Sequence, residues 1–244
     1  MNLKSLSIFL PVYNEEKIID KTISEIERVA ESITDNYEIL IINDGSTDHS
    51  KEKVLEWTKK NNKIKLISHE TNLGYGAALR TGFKNAQNDL ILYTDADMPV
   101  YLEEVKKIPP LMEEYDLVIG YRINRGDTPR RFIYSKLYNF FLRALLKIQV
   151  KDANFSFKCI KKEAIQKCNL KARSVFIDGE LLAEVVRNNF KIKEIPIVYR
   201  PRKYGKSNFD TIAAALSTMK EIIYYWLGRH LSVKKSEFAR NKII

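Results

Sequence analysis

The chain has 244 residues, 45% of them hydrophobic and 11% aromatic, which is enough for a substantial core and too apolar for intrinsic disorder. Two cysteines, Cys159 and Cys168, exclude a disulfide framework, and the few His and Cys residues lack zinc-ligand spacing, as expected in a reducing, cytosolic setting. The net charge of +10 is split unevenly: residues 1–118 carry 14 Lys and Arg against 21 Asp and Glu, residues 119–244 carry 27 against 10, and the basic half calls for an anionic partner.

Short apolar runs alternate with amphipathic stretches through the first half, the pattern of βαβ units around a mostly parallel sheet. Strands are predicted at Leu6–Val12, Tyr37–Asn43, Lys63–Ser68, Asp89–Thr94 and Asp116–Gly120. Helices are predicted at Glu15–Ser32, Asp48–Asn61, Gly76–Ala86 and Leu102–Met112. The first strand begins almost at once, so no signal peptide is expected.

In the second half, Phe132–Ile148 is rich in Phe, Tyr and Leu, and Lys136, Asn139, Arg143 and Lys147 recur at helical spacing. Such a helix suits either the plane of an anionic membrane or a core with snorkelling cations. Phe209–Leu227 is similar and ends in Ile222-Ile223-Tyr224-Tyr225-Trp226, an aromatic end suited to the headgroup region. Lys220 and Glu221 interrupt it, and no stretch reaches the roughly 18–20 apolar residues of a membrane span. Two units are expected: a catalytic domain over 1–207, including an interfacial helix at about 131–149, and an amphipathic, membrane-proximal helix with a basic tail over 208–244.

The sharpest local signal is Asp95-Ala96-Asp97, closing the apolar run Leu90–Tyr93. A buried strand gains nothing from ending in two carboxylates unless a positive group meets them. Mg²⁺ typically takes one or two protein carboxylates and leaves the rest of its shell to substrate phosphates. A solvated Asx turn is the simpler alternative. In open α/β sheets ligands bind at the carboxyl ends of strands, which brings Pro11–Glu15, Asp44–Asp48 and Asp95–Asp97 to one edge. Asp44 has the chemistry to accept a hydrogen bond from a base N–H, and its loop leads into a helix begun by Ser46 or Asp48. The Gly74/Gly76 loop has neither dinucleotide nor P-loop spacing and reads as a close-approach turn.

In order, Pro11-Val12-Tyr13-Asn14-Glu15-Glu16, Asn43-Asp44-Gly45-Ser46-Thr47-Asp48, Asn72-Leu73-Gly74, Asp95-Ala96-Asp97 and Arg202-Lys203-Tyr204-Gly205-Lys206-Ser207 resemble inverting glycosyltransferases of family 2 with a GT-A fold. The resemblance runs from about residue 6 to residue 210 and is greatest to polyprenyl-phosphate glycosyltransferases of the dolichyl-phosphate mannosyltransferase type. It implies a Rossmann-like α/β domain that moves a hexose from a UDP- or GDP-sugar to a polyprenyl phosphate, with Mg²⁺ or Mn²⁺, at the cytosolic face of a membrane. On this resemblance Pro11, Tyr13, Glu15, Asp44, Arg80 and Asp95 bind the donor, and Asp97 and Asp95 hold the metal. Arg122, Arg131, Ser135, Arg202, Lys206 and Ser207 bind the acceptor phosphate, and Asp95, Asp97 and Arg202 are catalytic. Asp178 and Glu180 occupy the region where relatives with hydroxyl acceptors carry a base. Two departures stand out: Pro99 replaces a metal-binding glutamine, and Ser207 is followed by Asn208 rather than lysine, with Lys206 just before it.

The expected partners are the nucleotide-sugar, the lipid phosphate and an anionic membrane surface, with a membrane-anchoring subunit or a homo-oligomer as an alternative anchor. No nucleic-acid motif is present. One alternative function is transfer to a hydroxyl in cell-envelope polysaccharide synthesis. Another is a peripheral membrane or nucleic-acid binding module with a degenerate sugar-nucleotide domain.

Overall fold

The computed structural model describes residues 5–97, 100–123, 129–200 and 215–228, with the side chains of 102–103 and 129–132 outside that description. A seven-stranded sheet runs through the chain in the order β3-β2-β1-β4-β6-β5-β7. Its strands are β1 (Leu6–Val12), β2 (Tyr37–Asn43), β3 (Ile64–Ser68), β4 (Leu90–Tyr93), β5 (Leu117–Ile123), β6 (Lys158–Lys161) and β7 (Ile192–Val198). Only β6 is antiparallel to its neighbours. The carboxyl ends of the other six strands therefore share one edge, and the loop that enters β6 reaches it too.

The predicted bounds of β1 and β2 match the observed ones to the residue, because both strands are mostly apolar and packed on both faces, with the Ser7–Glu38 hydrogen bond pairing their buried polar groups. Their side chains alternate between two cores. Ile8, Leu10, Ile39 and Ile41 face one core with α1 (Ile19–Ile33) and α2 (Ser50–Lys60); Phe9, Leu40 and Ile42 face the other with α3 (Tyr75–Asn85) and α7 (Phe176–Arg187). Each buried Leu, Ile or Phe contributes about 1.5–3 kcal/mol. The result is an α/β sandwich of helix, sheet and helix.

Elsewhere the bounds move. The stretch read as one helix over Leu102–Met112 divides into α4 (Leu102–Val105) and a 3-10 turn at Pro109–Glu113, since the Pro109-Pro110 pair cannot donate the backbone bonds of a continuous helix. The helix predicted from Asp48 begins at Ser50. The aromatic helix is α5 (Pro129–Leu146), and a short α6 (Lys162–Gln166) follows β6. Helix α8 occupies 215–228 and lays Ile222 on the core around α7.

Candidate active site

The sheet edge is assembled from loops that brace one another. Asn14 sits in a left-handed turn (φ 57°), and its side-chain oxygen accepts the Thr47 N–H at 2.8 Å. Ser46 Oγ accepts the Asn14 N–H, Ser50 Oγ accepts the Glu15 N–H, and Asp48 accepts the N–H groups of Glu16 and Ser50. The loop after β1 and the loop after β2 are thus one interlocked unit, with Tyr13 half-buried beside it. Asp48 caps from just outside α2, which explains the later helix start.

Asp44 is buried, and its carboxylate has three protein donors: the N–H groups of Leu73 and Gly74 at 2.9 Å each, and His69 Nδ1 at 2.6 Å. The expected bond to a nucleobase therefore meets oxygens that already organise the 72–74 loop. Gly45, at φ +68°, lies so close to the backbone of Thr71 and Asn72 that a Cβ would overlap it. The close approach expected of the Gly74/Gly76 loop is real: Gly76 donates to the Arg173 carbonyl at 3.0 Å, and a Cβ there would overlap the Ala172 carbonyl oxygen. Arg80, expected on the donor, places Nη1 on that same Ala172 carbonyl.

Beyond β4 the chain turns through Asp95-Ala96-Asp97. The turn is pinned from α1, where the buried Thr22 hydroxyl donates to the Ala96 carbonyl at 2.6 Å. Ala96 is buried, while Asp95 and Asp97 are half-buried at the rim. Although part of Asp95 is exposed, protein surrounds it closely. That desolvation, reinforced by the Asp97 charge, pushes its carboxyl up to about 7; a bond from Ser156 and the Lys158 ammonium pull the other way. The Tyr75 hydroxyl also bonds to Asp95. Val100 pairs with Tyr199, so the chain leaving this turn is tied to the end of β7.

Around β4 and β6 lies a buried polar group. Lys158, at the start of β6 and opposite Tyr93 on β4, places Nζ 2.5 Å from Asp178 Oδ1 and 2.5 Å from the Phe155 carbonyl. The Tyr93 hydroxyl donates to the same Asp178 oxygen at 2.5 Å, and its ring stacks on Phe9 with centroids 5.4 Å apart. Thr22, Tyr75 and His69 were not anticipated; Ser156 and Lys158 lie in the stretch Asp152–Lys158, which the family resemblance includes, but no role was assigned to either.

The expected acceptor residues fare unevenly. Arg122 is clamped by buried Asp152, with Nε and Nη2 at 2.7 and 3.0 Å from its two oxygens, and lies over Phe155 and Tyr199. It is an oriented, paired cation. Ser135 is half-buried on α5; Arg131 is on the same helix, but its side chain is outside the described residues. Pro99, Arg202, Lys206 and Ser207 also lie outside them. Asp178 and Glu180, the candidate bases, are both engaged. Asp178 is held by Lys158 and Tyr93, while Glu180 is buried and accepts the N–H groups of Lys171 and Ala172 at 2.8 Å each. Burial raises the Glu180 carboxyl, and those two bonds oppose the shift.

The sequence profile of Glycosyl transferase family 2 matches residues 7–168, a span holding both interlocked loops and the paired acids. The chain belongs to glycosyl transferase family 2. Its fold is GT-A. It is similar to Glycosyltransferase AglD of Haloferax volcanii, at 26% identity over 231 residues, covering 91% of this chain and 37% of that protein. The chain thus spans little more than a third of that relative's length. Among solved structures it is similar to glucosyl-3-phosphoglycerate synthase from Mycobacterium tuberculosis with Mn²⁺, UDP and glucosyl-3-phosphoglycerate. The TM-score is 0.73 at 19% identity, over 92% of this chain and 80% of that one. The complex of that enzyme with Mn²⁺, UDP-Glc and phosphoglyceric acid gives a TM-score of 0.70 at 19% identity, with the same coverage.

Proposed function

We propose that this family 2 protein transfers a hexose, with inversion, from a UDP- or GDP-sugar to a polyprenyl phosphate at the cytosolic face of a membrane. The observation that carries the reading is the pair of crowded carboxylates at the carboxyl edge, one of them raised to about 7 by burial and by its partner. Two hard oxygen ligands with mutual repulsion fit Mg²⁺ or Mn²⁺. Mn²⁺ and UDP occur together in the complexes of the mycobacterial neighbour. Asp95 and Asp97 would hold the ion, which supplies positive charge to the departing nucleoside diphosphate. The Thr22 bond fixes the turn that carries both acids, and Ser156 and Tyr75 orient Asp95. The interlocked loops at 13–16 and 44–50 form the wall proposed to hold the nucleoside.

The engagement of both candidate bases supports a phosphate acceptor. A hydroxyl acceptor needs its proton removed, and both candidate bases already serve the protein's own donors. A phosphate monoester has its second pKa near about 6 and is largely dianionic at neutral pH, so it needs cations and aim rather than a base. Arg202, with Arg131, Ser135, Lys206 and Ser207, is proposed to supply that cradle, flanked by the oriented Arg122.

A lipid acceptor also suits the outer faces of two helices. Ile133, Leu137 and Phe140 project from α5, and Leu216, Ile223, Tyr224 and Leu227 from α8, with Lys136, Arg143 and Lys220 exposed among them. No helix among the described residues is long and apolar enough to cross a membrane, so contact in the plane of an anionic surface is the proposed mode.

The test is a panel of radiolabelled UDP- and GDP-hexoses offered to a short polyprenyl phosphate and to the matching polyprenol, with and without EDTA. EDTA-sensitive labelling of the phosphate is expected. Labelling of the alcohol alone, or labelling indifferent to EDTA, would overturn the reading.

A further inference from the structure

The segment 171–174, between α6 and α7, lies past the span matched by the family profile and is held from three sides. From α7, Glu180 accepts the N–H groups of Lys171 and Ala172. From α3, Gly76 donates to the Arg173 carbonyl and Arg80 to the Ala172 carbonyl. From α8, the Glu221 carboxylate accepts the Arg173 N–H at 3.1 Å, the Ser174 N–H at 3.2 Å and the Ser174 hydroxyl at 2.6 Å. The loop entering α3 continues the chain of contacts, since Leu73 and Gly74 donate to Asp44 and Gly45 packs on the backbone of Thr71 and Asn72. At Gly45 and at Gly76 there is no room for a Cβ, so the backbones of 44–45, 71–76 and 171–174 touch directly. No flexible side chain lies at those two contacts to absorb a shift, and packed backbone transmits it.

We propose that Glu221 is a positioning residue for the nucleoside wall: from α8 it fixes 171–174, and 171–174 fixes the 72–76 loop that organises Asp44. This deepens the preceding proposal and rests on its placement of the nucleoside. Hydrogen bonds to an ionised acceptor are roughly twice as strong as neutral ones, and three donors converge on this carboxylate. The helix is also attached independently, because Ile222 is fully buried in the core around α7. Attachment and bracing are therefore separable. A residue that only attaches α8 affects melting and the amides of 173–174 when it is lost. A residue that braces the wall also affects the amides of Leu73, Gly74 and Gly76, and with them the nucleotide. The same helix leaves Leu216, Ile223, Tyr224 and Leu227 exposed, so the face proposed to meet a membrane is carried by the element that supports the donor loop.

The experiment takes two readings on the full chain. One is amide hydrogen exchange over 72–76 in the free protein. The other is binding of UDP and of GDP with Mn²⁺ by titration calorimetry, with no acceptor present. It uses the parent, Glu221→Ala, Glu221→Gln and Ile222→Val, with folding checked by circular dichroism. Glu221→Ala should speed exchange over 72–76 and weaken nucleotide binding, each by about fivefold or more, the low end of coupling between distinct sites. Ile222→Val should lower the melting temperature yet keep nucleotide affinity within about twofold of the parent, as expected of independent sites. If a folded Glu221→Ala exchanges over 72–76 or binds nucleotide like the parent, the inference is overturned. An affinity loss in Ile222→Val as large as that in Glu221→Ala also overturns it. Glu221→Gln covers the case in which Glu221→Ala does not fold. Its amide nitrogen cannot accept a backbone N–H, so exchange over 72–76 should rise, and unchanged exchange overturns the inference. A parent that binds neither nucleotide with Mn²⁺ refutes the preceding functional proposal, while the exchange reading still decides the brace, so the two failures are distinguishable.

Discussion

The loops after β1 and β2 and the segments around β5, β6 and β7 share one sheet edge but are held together in different ways. In the first region side-chain oxygens, neutral or carboxylate, accept backbone amides: Asn14 from Thr47, Ser46 from Asn14, Ser50 from Glu15, and Asp48 from Glu16. In the second, opposite charges clamp each other: Arg122 with Asp152, Lys158 with Asp178, Arg200 with Glu25. The first two pairs cancel within the basic half, and only Arg200, through Glu25, draws on the positive excess after residue 118.

The largest expected effect breaks one such brace. Arg122→Ala strands a buried carboxylate at Asp152 and should cost about 3–5 kcal/mol of stability, measured by urea unfolding. A loss below about 1 kcal/mol would mean the clamp is exposed in solution. On the other side, Gly45→Ala meets a left-handed backbone worth about 1–2 kcal/mol, to which the clash with Thr71 adds. Its melting temperature should fall, and nucleotide binding should weaken with it, because the same turn joins Asp44 to the interlocked loops.

Asp95 gives a pH signature. Its folded carboxyl sits at about 7 against an ordinary 3.8, so the folded state binds this proton more tightly than the unfolded state. Its contribution to stability is present at low pH and fades as pH rises through about 7. The metal-free protein should therefore lose melting temperature over that range, and Asp95→Asn should lack that component of the loss. An identical pH profile in the variant would refute the crowding of the two acids. The smallest effect is expected at Glu180. Glu180→Gln keeps an acceptor for Lys171 and Ala172 and should change transfer by less than about threefold, whereas loss of a general base costs 10²–10⁴-fold.

The sequence was most informative where one physical rule dominated. β1 and β2 were legible because every position is apolar or tightly packed, and the paired acids because carboxylates ending a buried strand demand a reason. β6 was not legible: Lys158-Cys159-Ile160-Lys161 is short, and lysines occupy both ends. β7 carries Pro196, which disfavours a central strand, yet β7 is the sheet's edge, where proline is tolerated. The engagement of Asp44, Asp178 and Glu180 was equally hidden. Their partners lie 8 to 85 residues away in sequence, and only the fold brings those donors to the carboxylates.

If Asp95 and Asp97 hold a cation that bridges to a nucleoside diphosphate, as proposed, nucleotide binding depends on that ion. Thermal melting with UDP or GDP, with and without Mn²⁺, in the parent and in Asp97→Ala tests it most directly. The parent should be stabilised by one nucleotide only when Mn²⁺ is present, by about 2.7 kcal/mol at a hundredfold excess over the dissociation constant, and Asp97→Ala should show no such gain. An equal, metal-independent gain in both proteins would contradict the account.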